Sequence, residues 1–102
     1  MHELWQAEWC PHSHRIRQKM TELGLDFVAR QVPADPKGRK DMERRLGTNE
    51  IPVLVRDEGE PLYGENDILA YLDRFDEPVD AEAHREKAER EVPTFSEVSR
   101  RR

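Results

Sequence analysis

Trp9-Cys10-Pro11-His12-Ser13 is the stretch that joins the first predicted strand, residues 3–7, to the first predicted helix, residues 11–23. Proline suits the first turn of a helix, because the amide hydrogen that it lacks would have no partner there. Apolar residues then recur every three or four positions, which is helical spacing. The glycine at position 24 can form the left-handed cap that ends such a helix.

Cys10 is the only cysteine among the 102 residues. A lone cysteine is usually a small buried side chain without reactivity. At a helix start, however, unpaired amide groups and the helix dipole stabilise the thiolate, which is the nucleophilic form. The order strand, cysteine, proline, helix therefore favours a reactive Cys10. A single cysteine also cannot form an intramolecular disulfide, so we expect a reducing, cytoplasmic location.

Length and composition predict one small soluble domain. Charged residues make up 38% of the chain, so some of it must lie outside the core. A net charge of −5 argues against nucleic-acid binding. No apolar run is long enough for a membrane span, and no secretory signal pattern occurs. We expect residues 1–76 to form the domain and residues 77–102 to form a charged helical or partly disordered tail.

The remaining pattern predicts the element order β-α-β-α-β-β-α. A second strand over residues 27–32 completes a βαβ unit. A short helix and two strands that flank a turn follow, at residues 39–46, 51–55 and 62–63. The next helix opens at residues 64–67, and its apolar positions are Ile68, Leu69, Leu72 and Phe75. Residues 80–91 are compatible with a further helix that has few apolar positions, and the end at residues 97–102 is expected to fray.

Trp-Cys-Pro-His-Ser resembles the active-site turn of glutaredoxins, Cys-Pro-x-Cys, with Ser13 in place of the second cysteine. Residues 4–75 also resemble the N-terminal domain of glutathione transferases. The resemblance implies an α/β thioredoxin-like fold with a mixed four-stranded sheet, and the composition of residues 77–102 adds a charged C-terminal helical extension to it. It implies catalytic roles for Cys10, Pro11 and Ser13, with glutathione as co-substrate. The Ser13 hydroxyl can donate a hydrogen bond to the thiolate, but it cannot resolve a mixed disulfide.

Ile51-Pro52 is the second segment of the resemblance. From propensity alone, a trans proline at the start of a strand is expected. In the families that the chain resembles, this proline is cis and faces the active cysteine, and the residue before it offers main-chain groups to the cysteinyl part of glutathione. The resemblance therefore implies glutathione-binding roles for Ile51 and Pro52.

Gly64-Glu65-Asn66-Asp67 is the third segment. Asn66 or Asp67 can simply be the N-cap of the helix, although free amide groups at a helix start also bind carboxylates. The glutaredoxin form of this segment, Gly-Gly-x-Asp-Asp, implies that Glu65, Asn66 and Asp67 contact the γ-glutamyl end of glutathione. The transferase form, Glu-Ser, falls on Gly64-Glu65 and does not match.

The histidines of the first helix raise the alternative of a metal site with Cys10. Positions i and i+2 of a helix point to different faces, and a fourth ligand is missing, so no metal is expected. We expect His12 to line the mouth of the glutathione site and His14 to be exposed. The glycine carboxylate of glutathione requires a basic partner, and the sequence does not choose among Arg15, Lys37, Arg39 and Lys40.

The function expected from these features is that of a monothiol glutaredoxin-like thiol–disulfide oxidoreductase, which acts on glutathionylated protein or small-molecule disulfides. Glutathione would complete the cycle, because no second cysteine is present. Three alternatives stay open. The chain can be a non-catalytic glutathione-binding module related to transferases, or it can use another low-molecular-weight thiol. It can also be a glutathione-ligated iron–sulfur carrier, although the Cys-Gly-Phe-Ser of such proteins is not matched at Pro11 and His12.

Overall fold

The computed structural model describes residues 1–92. Its elements are β1 His2–Gln6, α1 Pro11–Leu23, β2 Phe27–Gln31, a 3₁₀ turn Pro36–Gly38, α2 Lys40–Leu46, β3 Val53–Val55, β4 Pro61–Tyr63, α3 Glu65–Leu72 and α4 Ala81–Glu91. The predicted order β-α-β-α-β-β-α is confirmed, and α4 follows it. The predicted fraying at residues 97–102 lies outside the described residues.

The four strands form one mixed sheet in the order β2-β1-β3-β4. β1 runs parallel to β2, and the pairs β1–β3 and β3–β4 are antiparallel. This is the α/β thioredoxin-like architecture that the sequence predicts. β3 begins at Val53, two residues later than expected, because Pro52 has no amide hydrogen for the ladder.

The core has one layer on each face of the sheet. Successive side chains of a strand point to opposite faces, so Leu4 faces α1 and α3 whereas Trp5 faces α2. The first layer is built from Leu4, Ile16, Met20, Leu23, Leu54, Ile68 and Leu72. The second is smaller and contains Trp5, Met42 and Val53. Packing in these two layers holds the starts of α1 and α3 next to the end of β1 and the beginning of β3, where the candidate site lies.

Helix α1 is bounded as the sequence predicts. It begins at Pro11 and ends against Gly24, which adopts a left-handed conformation with φ 68°. Helix α4 packs against α1 and buries Ala81 there. Within residues 1–92, no helix combines the length and the apolar character that crossing a membrane requires.

Candidate functional site

Cys10 is the N-cap of α1, and 5% of its surface is exposed. Its sulfur accepts a hydrogen bond from the main-chain amide of Ser13 at 3.4 Å. Such a bond stabilises negative charge on the sulfur, as expected for a cysteine at a helix start. The Ser13 side chain differs from the expectation, because its buried hydroxyl has no hydrogen-bond partner among the residues described. Ser13 therefore interacts with the sulfur through its backbone amide and not through its hydroxyl.

Pro52 follows a cis peptide bond from Ile51, as the resemblance implies. The proline is buried immediately before the first residue of β3, which is an interior strand of the sheet. Its carbonyl oxygen accepts a hydrogen bond of 3.1 Å from the amide of Gly64, which precedes α3. This bond joins the second and third segments of the predicted site.

A cavity of about 440 Å³ lies against these segments. All six residues that were expected to bind glutathione line it, together with Tyr63 and Gly64; the six are His12, Ile51, Pro52, Glu65, Asn66 and Asp67. Cys10, Pro11 and Ser13 are not among the lining residues. They belong to the start of α1, which reaches the cavity through His12.

The start of α3 is not capped by a side chain. Its N-cap is Gly64, whose φ of 84° is a conformation that favours glycine. Asn66 and Asp67 are exposed and lie within the first turn. The simple N-cap role that the sequence left open for Asn66 or Asp67 is therefore wrong, and both side chains are available to the cavity.

Glu65 connects the start of α3 to α1. Its carboxylate lies 2.6 Å from Nδ1 of His12 and 3.0 Å from Nη1 of Arg15, and the side chain is 12% exposed. An ionised carboxylate can only accept, so Nδ1 of His12 carries the proton. The hydrogen bond from His12 lowers the pKa of Glu65; burial opposes this, and Arg15 adds to the lowering. This bridge could not be predicted from the sequence, since no local pattern connects residues 50 or more positions apart.

Of the four basic candidates, Arg39 is the one that is buried, with 5% of its surface exposed. It donates to three main-chain carbonyl oxygens, those of Pro33, Ala34 and Asn49. It also lines a second cavity of about 510 Å³, together with Trp9 and others. Both cavities include Ile51 in their walls, so they adjoin the same segment.

The other basic candidates and the second histidine are placed differently. Arg15 is bound to Glu65, while Lys37 and Lys40 are exposed. His14 is half-buried beside Arg17, so the prediction of an exposed His14 is wrong. In the described part of the chain, no three histidine, cysteine or acidic side chains gather in a metal-binding arrangement.

Residues 9–74 match the family model of the glutathione S-transferase N-terminal domain. The chain belongs to this family. The match begins one residue before Cys10 and ends two residues beyond α3, so it spans the whole candidate site.

Similar proteins include a phage protein and two solved transferases. The chain is 30% identical over 71 residues to the Gene 56 protein of Mycobacterium phage L5, covering 70% of this chain and 64% of that protein. Rice GST1, solved in complex with glutathione, is 32% identical with a TM-score of 0.62. A glutathione S-transferase of Methylobacillus flagellatus KT, with glutathione bound, is 28% identical with a TM-score of 0.60.

The alignments cover a larger share of this chain than of the transferase chains. Each of these transferase alignments covers 72% of this chain, but only 32% of the rice chain and 36% of the Methylobacillus chain. The chain therefore spans about a third of the length of each of these two transferases.

Proposed function

We propose that the protein is a glutathione-dependent thiol–disulfide oxidoreductase that acts on glutathione mixed disulfides through Cys10. The observation that carries this proposal is the position of the only cysteine. Cys10 caps α1, and its sulfur accepts a hydrogen bond from the Ser13 amide. It lies beside a cavity formed by the Ile51–Pro52 segment and the start of α3. The glutathione in the rice and Methylobacillus structures supports the choice of ligand.

The reaction has two exchanges. The Cys10 thiolate attacks the glutathionyl sulfur of a mixed disulfide, a bond forms between these sulfurs, and the substrate thiolate leaves and takes a proton from water. A second glutathione, as the thiolate, then attacks the glutathionyl sulfur on Cys10. Glutathione disulfide leaves, and Cys10 is again a thiolate. An external thiol is required because the chain has no other cysteine.

Glutathione would lie across both cavities in this proposal. The main chain of Ile51 would hold its cysteinyl part against Pro52, and Glu65, Asn66 and Asp67 would face its γ-glutamyl end. Arg39 is the basic residue best placed for the glycine carboxylate, because it lines the adjoining cavity. A guanidinium has five N–H groups, and the three main-chain bonds of Arg39 leave two for a ligand.

A non-catalytic glutathione-binding module is the second candidate function. It is favoured by the low exposure of Cys10, since a thiol that is 5% exposed has little room for an incoming disulfide. In this case the cavity would bind glutathione, and Cys10 would not form a mixed disulfide with it.

Turnover of a glutathione mixed disulfide distinguishes the two functions. The protein is assayed with the mixed disulfide of glutathione and 2-mercaptoethanol, in the presence of glutathione and a system that reports glutathione disulfide. We expect turnover with the parent chain and none with Cys10→Ser, together with a glutathionyl adduct on Cys10 by mass spectrometry. Calorimetric binding of glutathione without turnover would support the binding module. Neither binding nor turnover would contradict both functions.

A further inference from the structure

His12 and Glu65 form a histidine–carboxylate pair in the wall of the cavity. Nδ1 of His12 donates a hydrogen bond of 2.6 Å to one oxygen of the Glu65 carboxylate. The other oxygen accepts a hydrogen bond of 3.0 Å from Arg15, so the carboxylate is held between two donors of α1. The imidazole is thereby fixed at one nitrogen, while its side chain remains 62% exposed.

The same pair determines the tautomer of His12. Because an ionised carboxylate only accepts, the neutral ring carries its proton on Nδ1 and a lone pair on Nε2. Among residues 1–92, Nδ1 is the ring nitrogen that is hydrogen-bonded, and Nε2 has no partner. Imidazole accepts protons in the neutral pH range. A carboxylate that binds one ring nitrogen and leaves the other free is the arrangement that orients a histidine for proton transfer.

The other titratable groups of the cavity wall are less suited to accept a proton. Tyr63 lines the cavity, but its hydroxyl donates a hydrogen bond to the carbonyl of Leu46. Asp67 also lines it, but a carboxylate is ordinarily a weaker base than imidazole. Both oxygens of Glu65 already accept hydrogen bonds from α1. In the described part of the chain, His12 is therefore the side chain of this wall that has a free basic nitrogen.

His12 lies two residues after Cys10, in the first turn of α1. In the second exchange of the proposed function, an incoming thiol must lose its proton to attack the glutathionyl sulfur on Cys10. The thiolate is the nucleophile, and a thiol of ordinary acidity is mostly protonated at neutral pH. A base in the cavity wall removes this proton at the place where the attack occurs.

We infer that His12, oriented by Glu65, is the general base for the thiol that releases Cys10 from its mixed disulfide. The inference rests on the proposed function, because that mixed disulfide is its intermediate. The thiol proton passes to Nε2 of His12 as the thiol sulfur bonds to the glutathionyl sulfur. The bond from the glutathionyl sulfur to Cys10 breaks, and its electron pair stays on Cys10. The incoming thiol is thus oxidised to a disulfide, and Cys10 is reduced to the thiolate. The imidazolium then gives its Nε2 proton to water, which balances the proton that water gave to the substrate thiolate in the first exchange.

The release of Cys10 by thiols of different acidity tests the inference. The glutathionyl adduct on Cys10 is prepared with glutathione disulfide, and its loss in a single turnover is followed by mass spectrometry at pH 7. The incoming thiols are 2-mercaptoethanol and the far more acidic 2,2,2-trifluoroethanethiol. Each rate constant is divided by that of the same thiol with glutathione disulfide in solution at the same pH. This division removes the intrinsic reactivity and the ionised fraction of the thiol.

A general base accelerates the weakly acidic thiol more than the acidic one. The corrected rate of 2-mercaptoethanol should therefore exceed that of trifluoroethanethiol by roughly tenfold, less than the 10²-fold or more typical of a positioned base because His12 is exposed. His12→Gln should bring the ratio of the two corrected rates to about one, and Glu65→Gln should lower it in part because the ring loses its fixed tautomer. His84→Gln is the matched control. His84 pairs with Asp80 at the start of α4, outside the cavity, and its loss should leave the ratio as in the parent.

The inference is overturned if the two corrected rates are equal in the parent, or if His12→Gln keeps the difference between them. A gain that is the same for both thiols would mean that His12 acts only as a charge beside the sulfur, which also contradicts a general base. Thermal unfolding of each variant shows that it is folded, and the parent comparison together with Glu65→Gln decides if His12→Gln is not. The proposed function fails in a different way. Absence of the glutathionyl adduct on Cys10 contradicts both proposals, whereas release of the adduct without a preference between the thiols contradicts the inference alone.

Discussion

The main-chain amide of Ser13 donates a hydrogen bond to the sulfur of Cys10 at 3.4 Å, while the buried hydroxyl of Ser13 has no partner within residues 1–92. The contribution of Ser13 to the sulfur therefore comes from the backbone, and any residue other than proline at this position can supply the same amide. Substitutions of Cys10 and Ser13 are therefore expected to have different effects on the exchange reaction.

Cys10→Ser should reduce turnover of a glutathione mixed disulfide to background, whereas Ser13→Ala should retain most of it. The free energy of unfolding of Ser13→Ala should be unchanged or higher by up to about 1 kcal/mol, because the change removes a buried hydroxyl without a hydrogen bond. Turnover and chemical unfolding of both variants measure these effects. A large loss of activity in folded Ser13→Ala would show that the hydroxyl takes part in the exchange.

The first turn of α3 supports a prediction about affinity. Asp67→Ala should weaken glutathione binding by about 1.5–3 kcal/mol, the range for a hydrogen bond to a charged group, and Asn66→Ala should weaken it less. Neither change should alter the free energy of unfolding by more than about 0.5 kcal/mol, because both side chains are exposed and neither caps the helix.

Calorimetric titration with glutathione measures the affinity in this experiment, and chemical unfolding of the free protein measures stability. Glu89→Ala on α4 is the control for loss of a surface side chain. Unchanged affinity in both α3 variants would mean that this helix start does not contact the γ-glutamyl end.

Local sequence signals account for most of the fold. Pro11 and Gly24 bound α1 as predicted, since the missing amide hydrogen and the left-handed cap act within a few residues of their positions. Leu4 and Trp5 divide the core between the two faces, which follows from strand alternation. The apolar run from Ile51 predicts β3 two residues before its observed start at Val53, because Pro52 cannot donate to the ladder.

The side-chain connections between elements could not be predicted. Glu65 finds His12 and Arg15 only after α1 and α3 have packed on the same face of the sheet. Likewise, nothing near Arg39 in the sequence indicates that three carbonyl groups from two loops surround it. The resemblance predicts which residues line the cavity. The electrostatics of that cavity, however, depend on ion pairs between residues that are distant in sequence.

The Glu65 bridge should make stability depend on pH in a defined window. Because the pKa of Glu65 is lowered from 4.5 in the folded chain, mainly by the hydrogen bond from His12, folding favours its ionised form. The unfolded chain then binds more protons than the folded chain as the pH falls below about 4.5, so the stabilisation is present at neutral pH and is lost as the pH falls through the folded pKa.

Thermal unfolding of the parent and of Glu65→Gln, from pH 7 to pH 3, isolates this contribution. The parent should be the more stable of the two at pH 7, and the difference should shrink towards pH 3. Asp57 and Glu77 also have lowered pKa values, because the N-terminal amine and Arg85 respectively bind them, so only the difference between the two chains is informative. A difference that stays constant with pH would assign the effect of Glu65→Gln to packing.

Arg85 should be the residue that attaches α4 to the rest of the fold. Its guanidinium lies 2.8 Å from the carboxylate of Glu22 in α1, and it also binds Glu77 and Glu82. Glu22 is buried, so Arg85→Ala leaves that carboxylate with the amide of Gln18 as its remaining side-chain partner among the described residues. An unpaired buried charge is unfavourable. We expect Arg85→Ala to lower the Tm by several degrees and to speed amide hydrogen exchange in α4 more than in α1.

Arg90→Ala, an exposed change on the same helix, should alter neither measurement. The double variant Glu22→Gln/Arg85→Ala should recover part of the loss, since it removes the stranded charge. If Arg90→Ala and Arg85→Ala behave alike, α4 is held by its contacts around Ala81, and the ion pair with Glu22 does not attach it.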